Sequence, residues 1–394
     1  MIPVADALRE ILSRVRQLDA ERVPLTSALN RVLREPALAD LDSPPFNASA
    51  MDGYALRHTD AAMTLRIIGA SQAGAAFAGT ASSGECVRIF TGAPVPAGAD
   101  CVVKQEDTTR EGDHVRITSI PLKGAFIRHR GENRREGDIA VPAASRLGPA
   151  ELAALATAGV TQPCVTRRPS CVHVVTGNEL VSPGQIPTGA QIRDSNSTLI
   201  AALLACHGAD LVGHVHVQDD LARVQAAVAA LPAHDLLLIS GGASVGDHDF
   251  ARPVLNALGY TLHFEQVNLR PGKPLVFASR GQQLAFALPG NPVSHWVTFQ
   301  LFVAPLLQKL VTGIDSSPLR LRGRLAPGGP LPAPDARQTI WPARATIVDG
   351  QYELTLLTLA SSGDSNGLVG ANALLPLPAN GLDPDRPVDF IHCP

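Results

Sequence analysis

Four loops in the second half of the chain are unusually rich in glycine and polar residues. They are Thr-Gly-Asn-Glu at 176–179, Gly-Gly-Ala-Ser-Val-Gly-Asp-His-Asp at 241–249, Arg-Pro-Gly-Lys-Pro at 270–274 and Leu-Pro-Gly-Asn-Pro-Val-Ser at 288–294. Glycine lets the backbone approach a ligand closely, and free amides at a helix start favour anions such as phosphate or an oxoanion. Because Arg270 and Lys273 add side-chain positive charge, these loops predict an anion-binding site.

Carboxylates surround the cationic residues. They are Glu179, Asp194, Asp219, Asp220, Asp247 and Asp249. Carboxylates beside a phosphate cradle are typical of Mg²⁺, a hard cation that takes oxygen ligands. Each also has a structural explanation, since Asp219 suits a helix cap and Asp247 a solvated loop charge. His248 has no partner at ligand spacing and is interpreted as a surface residue, and His214 and His216 alternate on a predicted strand and are interpreted as structural.

The elements that position these loops alternate between strand and helix from residue 170 onwards. Apolar runs predict strands at 171–175, 211–217, 235–240 and 284–288. Helices are predicted at 196–206, capped by Ser195 or Asn196, and at 221–231, capped by Asp219. Such alternation favours a mostly parallel sheet, whose ligand crevice lies at the carboxyl ends of the strands.

The first half of the chain has a different character. Helical spacing predicts helices at 4–18, 26–34 and 149–158. Between the last two, short β-prone runs predict strands at 65–68, 86–90, 102–105, 114–117 and 125–127. Beyond residue 315, alternating residues suit a small β-domain. The domains are therefore expected at 1–42 with 141–168, at 43–140, at 169–314 and at 315–394.

Composition and missing motifs exclude several classes of protein. Lys+Arg 33 against Asp+Glu 36 gives a net charge of −3, so no global attraction to nucleic acid or anionic lipid is expected. The 6 cysteines form no C-x-x-C pair, no apolar run reaches the roughly 20 residues of a membrane span, and charges interrupt any signal-peptide core near the start. A cytoplasmic protein is expected. Motifs of P-loop, dinucleotide-binding, serine-hydrolase and zincin type do not occur, which leaves metal-assisted chemistry on a phosphorylated or nucleotide-like ligand.

Seven ordered motifs resemble those of one family. They lie at 47–55 (Asn-Ala-Ser-Ala-Met-Asp-Gly-Tyr-Ala), 90–96 (Phe-Thr-Gly-Ala-Pro-Val-Pro), 176–180, 194–196, 240–249, 270–274 and 288–294. Together they are similar to those of the molybdopterin molybdenumtransferases, the MoeA and gephyrin E-domain family, over nearly the whole chain. The resemblance implies insertion of molybdate into adenylylated molybdopterin, with Mg²⁺-dependent cleavage of the pyrophosphate bond and release of AMP and molybdenum cofactor.

The resemblance also implies an architecture and partners. It implies a multidomain α/β plus β fold, with a MogA-like α/β domain on a mostly parallel sheet, a β-rich insert domain, a helical linking domain and a C-terminal small β-barrel. The family forms homodimers in which the insert of one subunit completes the site of the other, so Asp52, Thr91 and Arg128 would act in trans. A molybdopterin adenylyltransferase and downstream molybdoenzyme chaperones are the implied partners, with no nucleic acid and no membrane.

The residue roles are carried over from the same resemblance. Catalytic roles are implied for Asp52, Thr91, Glu179, Asp220 and Asp249, of which Glu179 and Asp249 would hold the metal. Substrate binding is implied for Arg128, Asp194, Ser195, Asn196, Gly241, Gly242, Ser244, Arg270, Lys273, Pro274, Pro289, Gly290, Asn291, Pro292, Ser294, Ser362 and Gly363. Within this set, Arg270, Lys273 and Ser294 would bind the molybdate oxoanion.

The sequence departs from the family pattern at three positions. Asn133 and Asn178 stand where aspartate is usual, and Arg270 stands where lysine is usual. The arginine expected in the last domain is either Arg337 or Arg344. Two alternative functions remain open at this point: a catalytically weak paralogue that serves as a molybdopterin-binding dimeric scaffold, and a molybdopterin adenylyltransferase.

Overall fold

The computed structural model describes the chain except residues 242–250, 316, 328–331, 333–334, 379–381, 383–385 and 394. The chain forms two compact units, Met1–Glu21 with Thr166–Pro394, and Arg22–Val165. The expected division into four domains is finer than this grouping and stays a prediction. None of the described helices has both the length and the apolar character needed to cross a bilayer.

The first unit contains a six-stranded sheet. In spatial order its strands are Asp210–Val217, Ser170–Thr176, Leu236–Ser240, Gln283–Leu288, Pro274–Arg280 and Thr261–Gln266. The first four strands in this order run parallel, and the last two are antiparallel to their neighbours. The predicted mostly parallel sheet is therefore confirmed. A ribbon of two short parallel strands, Leu180–Val181 and Ile192–Arg193, follows the strand Ser170–Thr176.

Helices cover both faces of this sheet. They are Val4–Ser13, Asn196–Cys206, Leu221–Ala230, Ala251–Ala257, Pro292–Thr298 and Ala304–Thr312, with a π-helical turn at Phe299–Val303 joining the last two. Leu236 and Leu238 point into a cluster with the helix Asn196–Cys206, and Leu237 and Ile239 point into a cluster with the helix Leu221–Ala230. Because both faces are buried, the strand is apolar at successive positions rather than at alternate ones.

The C-terminal part of this unit is a closed five-stranded barrel, which confirms the expected small β-barrel. Its strands are Arg320–Leu325, Gln338–Val348, Gln351–Leu356, Ala373–Leu377 and Val388–His392, with a 3₁₀ turn at Asn366–Leu368. The barrel closes where Gln338–Val348 pairs with both Gln351–Leu356 and Ala373–Leu377. The short strand Leu269–Arg270 pairs in parallel with the same barrel strand, so the barrel holds the start of the 270–274 loop.

The second unit, Arg22–Val165, is built around another six-stranded sheet. In spatial order its strands are Cys101–Lys104, Gly53–Leu56, Glu85–Ile89, Thr64–Ser71, His114–Ile117 and Thr108–Glu111. Two antiparallel pairs lie outside it, Ile127–Arg128 with Ala48–Ser49 and Ile139–Val141 with Ala37–Leu38. Its remaining elements are the helix Pro149–Thr157 and 3₁₀ turns at Leu25–Ser27, His58–Asp60 and Gln105–Asp107. Short strands at Ala20–Arg22 and Cys164–Thr166 fall at the chain positions where the units meet.

Two of the predicted helices need correction. The helix predicted at 4–18 ends at Ser13, and the helix predicted at 26–34 is wrong, since only the turn Leu25–Ser27 forms there. Asn30 adopts a left-handed backbone with φ 64, which a helix does not accommodate. Leu33 is buried in an extended segment of the chain and not on one face of a helix. Its amide donates to the Ser145 carbonyl oxygen at 2.9 Å.

Asp235 ties two strands of the α/β sheet together. Its carboxylate accepts two hydrogen bonds of 2.6 Å from the Arg167 guanidinium and one of 2.8 Å from the Ser170 amide. Burial alone would raise the pKa of Asp235, but these hydrogen bonds hold it below its ordinary value. The ionised carboxylate is therefore the form that the fold stabilises.

We expect Asp235→Ala to lower the free energy of unfolding by about 2 kcal/mol, because a charge-assisted bidentate pair and the Ser170 amide lose their partner. Urea unfolding at pH 7 measures this loss. The matched control is Asp389→Ala, which removes the carboxylate of an exposed pair with Arg322 and should change the midpoint little. Equal midpoints for both variants would contradict the assigned role of Asp235.

Candidate active site

A cavity of about 760 Å³ lies at the carboxyl ends of the four parallel strands, and residues of the barrel line one side of it. Its lining residues are Thr176, Gly177, Glu179, Asp219, Gly241, Arg270, Pro271, Gly272, Lys273, Pro274, Pro289, Gly290, Asn291, Val293, Ser294, Arg337, Trp341, Leu359, Ala360, Ser361 and Ser362. Each parallel strand contributes the residues that follow it, because parallel strands all end at one edge of the sheet. This is where the sequence predicted a ligand crevice.

Many of the predicted site residues meet in this cavity. Those that line it are Glu179, Gly241, Arg270, Lys273, Pro274, Pro289, Gly290, Asn291, Ser294 and Ser362. Pro292 and Gly363 are chain neighbours of lining residues, and the Asn196 side-chain amide donates to the Gly290 carbonyl oxygen at 2.7 Å. Gly242, Ser244 and Asp249 lie outside the described residues, as do Asp247 and His248.

Charge is segregated along the cavity. Asp219 and Glu179 follow the first and second strands in the sheet order, whereas Lys273 immediately precedes the fifth. Neighbouring strands lie about 4.8 Å apart, so roughly 14 Å separates the second strand from the fifth. Among the described residues, no carboxylate forms an ion pair with Lys273. The cavity thus has an acidic end and a cationic end.

The cationic end contains an arginine of the barrel as well as Arg270 and Lys273. Arg337 lines the cavity, while Arg344 is exposed and donates to the Val369 carbonyl oxygen at 3.2 Å. Of the two arginines that the sequence left open, Arg337 is therefore the one that lines the cavity, and its functional role stays a prediction. Asp335 pairs with both arginines, and hydrogen bonds from Arg337 hold the pKa of Asp335 well below its ordinary value.

A direct link joins the barrel to the α/β domain at this cavity. The Asn291 side-chain amide donates to the Ser362 hydroxyl at 2.7 Å, and the Val293 amide donates to the Ser362 carbonyl oxygen at 3.1 Å. Four further residues of the barrel line the same cavity, namely Trp341, Leu359, Ala360 and Ser361. The sequence reasoning missed these four residues, because only the Ser-Gly pair at 362–363 marked the wall.

The prediction of Asp219 as the cap of the following helix is wrong. Asp220 caps the helix Leu221–Ala230, its carboxylate accepting from the Arg223 amide at 2.8 Å. Asp219, predicted as the cap, lines the cavity instead. The implied catalytic role of Asp220 stays a prediction, and its carboxylate has a structural partner. A similar correction applies to the 194–196 segment, where Asp194, and neither Ser195 nor Asn196, accepts from the Ser197 amide at 3.0 Å.

The acidic end of the cavity could hold a magnesium ion whose oxygen ligands come partly from the protein and partly from a bound phosphate. The described residues contain no group of three or more side chains able to hold a metal ion. Mg²⁺ needs only one or two protein carboxylates when substrate phosphates and waters supply the other oxygens. Glu179 is exposed at the cavity and meets that need.

Two buried histidines support the floor of the cavity. His173 Nε2 lies 2.6 Å from the Ser240 hydroxyl, one residue before Gly241, and its ring stacks on that of His214 with 5.1 Å between centroids. His295 Nδ1 lies 3.1 Å from the Pro289 carbonyl oxygen. Burial lowers the pKa of His295 to about 4 and the pKa of His173 well below its ordinary value. Both rings are therefore neutral near pH 7.

The predicted residues of the insert lie within the unit Arg22–Val165, and their role in a site stays a prediction. Asp52 Oδ1 accepts from the Thr91 amide at 2.7 Å and from its hydroxyl at 2.8 Å, and these bonds lower the pKa of Asp52. Thr91 and Arg128 line a cavity of about 330 Å³. Arg128 donates to Asn133 Oδ1 at 2.6 Å, so the asparagine that departs from the family pattern orients this arginine.

The fold and the larger cavity define a multidomain α/β protein with a cleft between a parallel sheet and a small barrel, one end of which is lined by Arg270, Lys273 and Arg337. Family models match at residues 2–159, "MoeA N-terminal region (domain I and II)", and at 173–309, "Probable molybdopterin binding domain". The chain is 35% identical to the "Molybdopterin molybdenumtransferase" of Nostoc sp., over 96% of this chain and 90% of the relative. The chain belongs to the molybdopterin molybdenumtransferase family, as the motifs predicted.

Further relatives agree with this assignment. The molybdopterin molybdenumtransferase of Staphylococcus aureus (strain Mu50) is 29% identical, over 99% of this chain and 95% of the relative. The crystal structure of the molybdopterin biosynthesis moeA protein from Pyrococcus horikoshii OT3 superposes with a TM-score of 0.80 at 25% identity, covering 100% of each chain. The predicted multidomain α/β plus β fold is thereby confirmed.

Gly241 is expected to tolerate no side chain. Its backbone has φ +92, and a Cβ would lie 2.5 Å from the Thr176 carbonyl oxygen. Gly241→Ala should therefore lower the free energy of unfolding by about 2 kcal/mol and weaken anion binding, since the loop must move. Gly350→Ala is the control, because its φ is +77 but nothing lies within 4 Å of its Cβ. Chemical unfolding and titration with inorganic pyrophosphate measure both effects, and equal losses in the two variants would argue against a steric role.

His295 should make the α/β domain sensitive to acid. Its folded pKa, about 4, lies below the unfolded value of about 6.5, so the unfolded state binds the proton first. Stability is then complete above pH 6.5 and falls between pH 6.5 and 4, by at most about 1.4 kcal/mol per pH unit for this one residue. His295→Asn should flatten that slope in urea unfolding, while His114→Asn, at an exposed histidine, should leave it unchanged. An unaltered slope in the His295 variant would contradict the assignment.

Proposed function

We propose that this protein inserts molybdenum from molybdate into the dithiolene of adenylylated molybdopterin and releases AMP in a Mg²⁺-dependent step. Transfer of molybdenum to molybdopterin is the activity of the family to which the chain belongs. The adenylylated form of the substrate, the metal and the AMP product are the finer parts of the proposal. The observation that carries it is the segregated cavity, with Arg270, Lys273 and Arg337 at one end and Glu179 at the other.

The cationic end suits molybdate. Molybdate is a tetrahedral dianion, and guanidinium and ammonium groups form short, charge-assisted hydrogen bonds to such oxygens. Ser294 and Ser362 line the same region and can donate further hydrogen bonds. Trp341 offers the flat apolar surface on which a ring system such as a pterin packs.

The acidic end suits the pyrophosphate of the adenylylated pterin. Glu179 and, as proposed from the family resemblance, Asp249 would hold Mg²⁺, which supplies charge neutralisation at the pyrophosphate when bound. Gly241 lets the backbone approach phosphate oxygens closely. The separation between the two ends fits one elongated ligand whose dithiolene lies near Lys273 and whose phosphates lie near Glu179.

A homodimer is part of the proposal. Asp52, Thr91 and Arg128 would complete the cavity of the partner subunit, with Arg128 supplying positive charge and Asp52, ionised by its bonds to Thr91, acting as acceptor or base. We further propose that the protein acts in the cytoplasm, receives its substrate from a molybdopterin adenylyltransferase and passes its product to molybdoenzyme chaperones.

AMP release from purified protein with adenylylated molybdopterin, Mg²⁺ and molybdate tests the reaction. Release that depends on molybdate supports the proposal. A requirement for ATP would instead favour the adenylyltransferase alternative, and tight binding without release would favour the scaffold alternative.

Lys273→Ala should reduce molybdate-dependent AMP release about 100-fold, because a preorganised cation at the reacting oxoanion is lost. Lys123→Ala is the control, since Lys123 is 75% exposed on the insert, and it should retain wild-type turnover. Circular dichroism of both variants checks the fold. Full turnover in the Lys273 variant would show that this lysine does not take part in the reaction.

Complementation tests the dimeric site. Asp52→Ala and Lys273→Ala homodimers should both be inactive, whereas mixed dimers carry one intact site formed from the unmutated halves. Random mixing should therefore restore about a quarter of wild-type activity, as expected for a two-fold symmetric dimer. Purified variants are mixed under conditions that exchange subunits, and AMP release is compared with each variant alone. No recovery in demonstrated mixed dimers would contradict action in trans.

A further inference from the structure

One carboxylate sits among the cations of the proposed oxoanion end. Asp335 Oδ1 accepts from the Arg337 backbone amide at 2.8 Å and from Arg337 Nε at 2.9 Å, and Oδ2 accepts from Nη2 at 2.8 Å. Arg270 Nη1 lies 3.5 Å from the same Oδ2. Both arginines line the cavity. Asp335 therefore already occupies the kind of planar donor arrangement that an incoming oxoanion would use.

The cluster formed by Arg270, Lys273, Arg337 and Asp335 has a net charge of +2. The three basic side chains contribute +3 and the ionised Asp335 contributes −1. Glu179 and Asp219 lie at the other end of the cavity, at least three strands away along the sheet. Because interactions between partly exposed charges weaken strongly with distance and salt, Asp335 has the strongest effect, among the carboxylates that the structure describes, on an anion bound beside Arg337.

We propose that Asp335 is a specificity-determining residue of the oxoanion site, which limits the affinity for anions and does so more strongly for a dianion than for a monoanion. The inference rests on the proposed function. An oxoanion and Asp335 are like charges that share two arginines, so each weakens the binding of the other. Repulsion grows in proportion to the charge of the ligand. The weakened binding lets molybdate leave the arginines for the dithiolene.

The test is equilibrium binding of two tetrahedral oxoanions that differ in charge, molybdate and perrhenate, at fixed ionic strength and pH 7. Asp335→Asn keeps an acceptor oxygen for Arg337 but removes the charge. We expect it to bind molybdate about tenfold more tightly and perrhenate only about threefold more tightly, because the gain in binding free energy scales with ligand charge. Bound metal is measured after dialysis.

Two further variants separate charge from shape. Asp335→Glu keeps the charge and should preserve the ratio of molybdate to perrhenate affinity found for the wild type. Asp389→Asn removes a carboxylate from an exposed pair with Arg322 in the same barrel and should change neither affinity. A merely structural role of Asp335 would shift both anions by one common factor, so the ratio reports the charge.

Each outcome has a definite meaning. Suppose that the wild type binds molybdate and that Asp335→Asn changes the affinity for both anions by the same factor, or leaves both affinities unchanged. The inference on Asp335 is then overturned, and the anion site remains. If neither protein binds molybdate, the anion site of the proposed function fails together with the inference. The proposed anion site and the inference on Asp335 are both supported if Asp335→Asn raises the affinity for molybdate tenfold and for perrhenate threefold, and if Asp335→Glu keeps the wild-type ratio of the two affinities.

Discussion

Parallel strands of one sheet must all end at the same edge, and the chemistry of this protein depends on that constraint. The strands Asp210–Val217, Ser170–Thr176, Leu236–Ser240 and Gln283–Leu288 deliver Asp219, Glu179, Gly241 and the 289–294 loop to one cavity. Spatial order along the sheet then fixes which charges are neighbours. Glu179 and Asp219 lie at one end, and the cations lie at the other with Asp335 paired to the two arginines, so a single ligand with two different polar groups has a defined orientation.

Packing makes this edge rigid enough to serve as a site. The central strand Leu236–Ser240 is buried on both faces by two separate clusters, and buried neutral histidines hold Ser240 and the Pro289 carbonyl beneath the cavity. The barrel adds the missing wall, since Asn291 and Ser362 connect it to the α/β domain. Preorganised donors of this kind bind an anion without first paying to order themselves.

The sequence predicted the local features well. Continuous apolar runs identified the buried strands, and glycine-rich loops after them identified the crevice, because both signals depend on residues close in the chain. It failed where distant residues compete. Leu33 looked helical, but Asn30 turns the backbone and Leu33 pairs in extended form instead. Adjacent aspartates at 219 and 220 could not be told apart, since one residue of register decides which caps the helix.

The barrel wall shows a further limit. Trp341 and Ser361 reach the cavity only because a closed barrel folds back against the loop at 289–294, and no local pattern carries that information. Arg337 and Arg344 are equally basic in the sequence, yet Arg337, just before the strand Gln338–Val348, lines the cavity, whereas Arg344 within that strand donates to the Val369 carbonyl oxygen. The family motifs indicated that an arginine was needed, and the structure shows which of the two lines the cavity.

The cationic end of the cavity is where we expect the oxoanion to bind. Crystals of the wild-type protein soaked in tungstate, a heavier analogue of molybdate, would locate the oxoanion directly by anomalous scattering at the tungsten edge. We expect a peak beside Lys273 and Arg337, close enough for the oxygens of the bound tungstate to accept hydrogen bonds from both side chains. A peak only at the acidic end, near Glu179, or only outside this cavity would contradict it.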